Sequence, residues 1–482
     1  MEHTNAPMNT NGTTARRLNA ILTRLGAARY REMTAAVERD ALAGGVWIEH
    51  GADGARRPID VMLRPHLLDL QSRAYAHHAA WQLRLALRAQ SQLLVERPAA
   101  QALFPMDEAE RAWLERYRWT EAIGQQRERV FCRLDALVHA EPGHWQPTMK
   151  FVEVNVVGIG GMTYAPALER ALERHVAPAL LEADERLTLA RNLDPRELLL
   201  EDLRDHARAL DPTVERPIVA LIHDASLYQL GGEFGRLERH FAHHPDAAVL
   251  SIDPRELRVS HLGHVEARGQ RIDLVYRSLE LRELIAMEDA GDDLSGLHLA
   301  FAQNRVIPSV GGDLEHKSAF ELLTNPSFTE HFDRHQRRIF RDHVLWTRLL
   351  TERRTQGPDG DAIDLVPWAA RSRDRLVLKP NREYGGIGVV LGDEVSDADW
   401  DDALHRALAN PGSHVVQELS PTPAEPVLQL SPDGALEEVT RYQAAGLIPG
   451  RSGLGIFARF AASRVVNVHA GGGVAAFMVH VT

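Results

Sequence analysis

Leu376-Val377-Leu378-Lys379-Pro380-Asn381-Arg382-Glu383-Tyr384-Gly385-Gly386-Ile387-Gly388-Val389-Val390-Leu391-Gly392 sets the frame for the whole chain. Two apolar, β-branched runs, Leu376 to Leu378 and Val389 to Leu391, flank a glycine-bearing loop, so the stretch reads as a hairpin with a mobile tip rather than a helix. Lys379 closes the first strand. Gly385, Gly386 and Gly388 can take backbone angles closed to other residues and let main-chain N–H groups approach an anion. The loop is not a P-loop, because no Gly-Lys-Ser/Thr closes it, and not a dinucleotide fingerprint, because a strand follows it. Taken alone, it also reads as an ordinary glycine-rich hairpin. What favours a phosphate site is lysine usage: of 55 basic residues only Lys150, Lys317 and Lys379 are lysine. A chain this rich in arginine has little reason to keep lysine except where a compact charge must meet a phosphate oxygen.

The 482 residues suffice for two to four domains, and 44% apolar with 25% charged residues is a soluble, globular composition. A formal charge of −12 with no basic stripe argues against a nucleic-acid partner. No apolar run approaches the roughly 20 residues that span a bilayer. One cysteine, Cys132, excludes an internal disulfide framework and a cysteine-rich metal site, which suits a reducing cytoplasm. Residues 1–15 lack a signal-peptide pattern and read as a disordered tail.

Residues 16–125 read as mostly helical, with Leu18, Ile21, Leu22 and Leu25, and later Leu67, Leu68 and Leu70, at helical spacing, and with at most a short strand at Val46 to Ile48. His77 and His78 point about 100° apart on a helix and do not share a metal easily. Residues 126–210 carry the second informative pattern. Phe131 to Leu137 alternates Cys132, Leu134 and Ala136 against Arg133 and Asp135. Phe151 to Val156 alternates Val152, Val154 and Val156 against Glu153 and Asn155. A hairpin centred on His144 in the turn-like Glu141 to Trp145 sets Arg133 opposite Asn155 and Asp135 opposite Glu153. Two acids, an amide and an arginine then share a patch: hard oxygen ligands suited to Mg²⁺, or else a solvated face with a salt bridge. Gly158 to Gly161 is either a close-approach loop for substrate or a tight turn.

Glu182 to Leu210 returns to helix. Residues 211–305 read as a small α/β domain with a largely parallel sheet: strands at Pro217 to Asp224, Ala248 to Ile252 and Ile272 to Tyr276, with a helix at Glu233 to Phe241. His240, His243 and His244 have metal-compatible spacing but no evident acidic partner. In residues 306–482, Lys317 precedes a helix at Ser318 to Leu323, the glycine hairpin follows, and Ser413 to Glu418 is a short strand. Pro421 to Pro426 reads as a turn, and the last strands are Gly455 to Phe460 and Arg464 to Val468. Glu233, Arg277, Arg305 and Arg459 are polar candidates to line a pocket.

Together these residues resemble the ATP-grasp superfamily. The metal-type acids come first, then Lys317, the lid with Lys379, and a hinge at Val416-Gln417-Glu418, which resembles the circularly permuted branch of glutathionylspermidine synthetase and its relatives. The resemblance runs from Phe131 to the C-terminus and implies an α/β, circularly permuted ATP-grasp fold with a helical N-terminal region and a small parallel α/β domain. It implies that Asp135, Glu153 and Asn155 hold Mg²⁺ and that Arg133 steadies an acyl phosphate. It further implies that Lys317, Lys379, Gly385, Gly386, Gly388, Gln417 and Glu418 bind ATP. The family's Asn-Lys becomes His316-Lys317 here, and an amidase domain with its cysteine nucleophile is missing. The implied activity is an ATP-dependent carboxylate–amine ligase acting on small-molecule or peptide substrates; a small-molecule kinase or a silent nucleotide-binding scaffold are the other readings. Oligomeric state is not legible.

Overall fold

The computed structural model describes residues 13–50, 55–123, 130–224, 232–311, 313, 315–468 and 470–481. Most of the expected tail, residues 1–12, lies outside that set, and the helix Thr13–Arg24 begins before the expected boundary at residue 15. Buried Leu18, Ile21 and Leu22 on that helix, and Tyr30, Met33, Val37 and Ala41 on Gly26–Ala43, recur every three or four residues and form one apolar stripe. The long helix Leu70–Glu96 starts at an Asp69 cap that accepts the Ser72 N–H at 2.7 Å. It buries Ala76, Ala79, Ala80, Leu83 and Leu87 in the largest apolar cluster.

That cluster lies under the main antiparallel sheet, whose strands run in the order Gly473–Ala475, Leu454–Ala461, Leu436–Pro449, Arg133–Leu137 and Lys150–Asn155. Leu436–Pro449 is the hub: Ala424–Leu430 pairs with its first half and Arg133–Leu137 with its second, while Leu454–Ala461 lines its other edge. The acid hairpin has the expected register, Arg133 opposite Asn155 and Asp135 opposite Glu153. A bulge after Asp135 then sets Ala136 opposite Phe151. It turns Phe151, not Val152, into the core alongside Val154.

A second, four-stranded antiparallel sheet orders Thr347–Leu349, His414–Glu418, Leu376–Pro380 and Val390–Leu391. It holds the glycine hairpin as expected, with Val377 opposite Leu391. The third sheet is wholly parallel, in the order Val306–Ile307, Leu274–Arg277, Ile218–Ile222 and Ala248–Ile252. Its two faces feed separate clusters, Ala220, Ile222 and Val275 on one side and Val219, Leu221 and Leu274 on the other. Burial on both faces is why these strands read as unbroken apolar runs.

Several local expectations give way to long-range pairing. Leu67 and Leu68 lie in a strand, His66–Asp69, that pairs in parallel with Phe477–His480. The helix expected over Glu182 to Leu210 is interrupted between Ala183 and Pro195. Ala424 to Pro426 is already strand, and Arg464 to Val468 is not one. No helix among the described residues is long and apolar enough to cross a membrane.

Candidate functional site

The polar face of the acid hairpin turns away from the core. Arg133 lies across Gly446 of the neighbouring strand, where a Cβ would come within 2.7 Å of its Cδ. From there its Nε donates to Asp135 Oδ1 at 2.8 Å, its Nη2 to Oδ2 at 3.1 Å, and its Nη1 to the Gly160 carbonyl at 2.8 Å. Gly158 and Gly161 take φ values of 58° and 90°. Their turn thus both enters the helix Tyr164–His175 and presents a carbonyl to Arg133. A second guanidinium, from Arg459 on Leu454–Ala461, reaches Asp135 Oδ2 at 2.9 Å. Burial opposes ionisation of Asp135, but the two arginines outweigh it and hold the carboxyl at about 2.

The lysines approach the same hairpin from the second sheet and its neighbouring loop. Lys317 Nζ lies 3.3 Å from Glu153 Oε1 and also donates to the Glu383 carbonyl. Its backbone N–H donates to Asn381 O at 2.9 Å, while the Asn381 side chain accepts the Ser318 N–H at 2.9 Å. Lys379 Nζ donates to Gln417 Oε1 at 2.6 Å and to the Val152 carbonyl, exposed by the bulge, at 3.4 Å. Burial lowers Lys379 to about 8 despite the pull of Glu153. Gln417, expected at an adenine hinge, is buried and orients Lys379, its own Nε2 bonding Thr347 Oγ1 at 2.9 Å. Glu418 ends the strand, with its N–H on the Trp346 carbonyl at 2.8 Å.

The lid glycines Gly385, Gly386 and Gly388 sit at φ of 72°, 73° and 71°, a left-handed conformation that side chains resist. The lid leans on a loop near the C-terminus: a Cβ on Gly386 would come within 2.6 Å of Val465, and Asn467 Nδ2 donates to the Gly385 carbonyl. Its tip exposes Tyr384 and Ile387.

The charges gathered here are Arg133, Arg459, Lys317 and Lys379 against Asp135 and Glu153, an excess of cations that suits a polyanion. Glu315, pushed up to about 8 by burial, adds little charge at neutral pH. Asp135, Glu153 and Asn155 supply hard oxygens for a cation that keeps several waters, as Mg²⁺ does. Two observations bear on that fit. Asn155 Nδ2 is buried with no partner, and an amide turned end for end would present its oxygen there. The Asp135 oxygens already serve two guanidiniums, yet a carboxylate has about four lone-pair sites, so acceptor capacity remains. A cation here would have to engage the Asn155 amide as well, because no group of three His, Cys, Asp or Glu side chains suited to a metal occurs among the described residues.

Of the four further candidates only Arg459 joins the site. Arg277 is wholly buried and holds the Pro308, Ser309 and Leu279 carbonyls and Asp313. Arg305 bonds Asp273 O and Gln303, and Glu233 holds the Thr163 N–H and hydroxyl. His316 packs edge-on to Phe104, with burial pushing it down to about 3. His240 and His244 do have an acidic partner, Glu197, at 2.8 and 3.4 Å. Sequence reading missed Asn381, Glu315 and Gly446; the position of Asn381 directly after Lys379-Pro380 was the available signal.

The pH behaviour follows from Lys379. Between about pH 8 and the ordinary lysine range the unfolded chain binds more protons at this group than the folded one, so its contribution makes stability rise with pH. Polyanion binding needs the charged form and has the opposite slope. Affinity for inorganic tripolyphosphate is expected to be flat up to neutral pH and to fall above about 8. Calorimetry at several pH values checks this, and a slope unchanged in Lys379→Met would assign it elsewhere.

No protein-family model and no curated protein matches this chain. Among solved structures, a glutathione synthetase-like effector from Globodera pallida, in its apo form, matches with a TM-score of 0.56 and 15% identity, over 93% of this chain and 91% of that one. D-alanyl-alanine synthetase A from Vibrio cholerae overlaps more weakly, with a TM-score of 0.26 and 11% identity over 50% of this chain and 69% of that one, too little to bear on the fold. The first likeness spans nearly both chains, and at this identity it speaks for architecture alone: this is a mixed α/β protein that shares the fold of the glutathione synthetase-like effector.

Proposed function

We propose that this chain is an ATP-dependent carboxylate–amine ligase of the circularly permuted, glutathionylspermidine synthetase-like kind. The observation that carries the reading is convergence: Lys317 and Lys379 come from separate segments late in the chain and reach one early hairpin, at Glu153 and at the Val152 carbonyl. The early hairpin pairing with the late strand Leu436–Pro449 supports the permuted order. The likeness to a glutathione synthetase-like effector is in keeping with peptide chemistry.

In this reading Lys317 and Lys379 neutralise the ATP phosphates, and the glycine lid shields them from water. Asp135, Glu153 and Asn155 would hold Mg²⁺, which would supply charge neutralisation at the phosphates. Phosphoryl transfer asks mainly for positioning and charge stabilisation. The substrate carboxylate takes the γ-phosphoryl group with release of ADP; Arg133, anchored by Asp135 and Gly160, steadies the acyl phosphate. Attack by an amine nitrogen then breaks the bond from acyl carbon to phosphate oxygen, giving an amide, phosphate and a proton. Water exclusion guards the acyl phosphate in between. The substrates are small-molecule or peptide carboxylates and amines, and the setting is the cytoplasm.

The test is ADP release from Mg-ATP with pooled amino acids and small peptides, with and without hydroxylamine. A hydroxamate is expected, because hydroxylamine traps the acyl phosphate. ADP without hydroxamate would favour a kinase, and no ADP with any acceptor, despite ATP binding, would favour a silent scaffold. Arg133→Met is expected to lower turnover far more than ATP affinity.

A further inference from the structure

Glu315 takes no part in the chemistry described above, yet its position is unusual. One of its carboxyl oxygens accepts the N–H groups of both Val156 and Val157. These are the two residues directly after Asn155, where the chain leaves the acid hairpin. Two residues beyond Glu315 in sequence comes Lys317, whose ammonium turns back to Glu153 at 3.3 Å. On its other side the Lys317 segment is fastened to the lid base, through Asn381 and the Glu383 carbonyl.

We infer that Glu315 is a positioning residue that ties the exit of the acid hairpin to the Lys317 segment and so sets the Glu153–Lys317 pair. The inference rests on the ligase reading only for its purpose; the tie itself is a matter of geometry. A flexible lysine stem does not fix an ammonium opposite one carboxylate. Two converging N–H bonds close a short ring through Val156, Asn155, Glu153 and Lys317, and leave the pair little freedom. The residue as a whole keeps part of its surface exposed, while its carboxyl lies deep enough for burial to raise its proton affinity. Its raised proton affinity fits the role, since either protonation state leaves an oxygen to accept both N–H groups.

The chain's three lysines allow a direct test by limited acetylation of the full-length protein with mass-spectrometric readout at each lysine. Glu315→Ala is expected to raise the labelling rate of Lys317 about tenfold by freeing its segment. Lys150, which donates to the Asp342 carbonyl at 2.6 Å, should label as before. Glu315→Gln keeps an acceptor oxygen and is expected to restore the slow rate. An unchanged Lys317 rate in Glu315→Ala would overturn the inference, and so would a common acceleration of all three lysines, which signals general loosening. Protection by Mg·AMP-PNP is a separate arm. Wild type should protect Lys317 and Lys379, and absent protection would count against the ATP reading while the Lys317 rate still decides the role of Glu315.

Discussion

Glu153→Gln is expected to lower ATP turnover by about 10²–10³-fold while leaving metal-free phosphate binding intact or stronger. The two effects have opposite signs because Glu153 faces two kinds of partner. Its carboxylate offsets Lys317 at 3.3 Å and raises the proton affinity of Lys379. Removing that charge leaves four cations against Asp135 alone, which favours inorganic tripolyphosphate. The same change removes one of two carboxylates offered to Mg²⁺, so the Mg²⁺ concentration needed for half-maximal turnover should rise about 10–100-fold. The side chain keeps a quarter of its surface exposed, but Lys317 opposite it is only 6% exposed, so some stability should be lost with the pair. Turnover with an unchanged Mg²⁺ dependence would remove Glu153 from the metal set.

How much of this was legible in the sequence depended on how local the cause was. The acid hairpin could be read with its register because both strands alternate with period two and a turn separates them. The parallel sheet could be read because two-sided burial writes continuous apolar runs. Lys317 and Lys379 stood out because lysine is scarce here, and Arg459 did not because arginine is abundant. The hub strand Leu436–Pro449 was invisible: its first half, Leu-Glu-Glu-Val-Thr-Arg-Tyr, reads as polar loop, since the pairing that makes it strand comes from partners elsewhere in the chain. His66–Asp69 was misread for the same reason, its partner lying at Phe477–His480. Propensity reports what a segment does alone, and these segments take their structure from contacts hundreds of residues away. Glu315 and Asn381 act through backbone N–H groups, which leave no pattern in side-chain chemistry.

Asp135→Asn is expected to be the most damaging single change to stability, about 3–5 kcal/mol, because it strips the counter-charge from two buried guanidiniums. Asp135 is 4% exposed, and the Arg133 and Arg459 side chains are 11% and 13% exposed. Water therefore cannot replace the lost carboxylate. Asparagine is the same size, so packing is unchanged and the loss is electrostatic. The pH dependence of the parent protein carries the same information. The carboxyl is held at about 2 in the folded chain, below its unfolded value near 4. Its contribution is thus present in full above the unfolded value and is lost as pH falls towards about 2. In Asp135→Asn that part of the acid limb should vanish, with the urea midpoint lowered at neutral pH. Adding Arg133→Met and Arg459→Met to the same chain should recover much of the loss, since an amide beside two methionines leaves no buried charge unpaired. Failure of the triple variant to regain stability would mean that Asp135 acts through its hydrogen bonds and not by charge. Recovery without any regain of ATP turnover would separate the stability that Asp135 gives the sheet under two guanidiniums from the role proposed for Arg133.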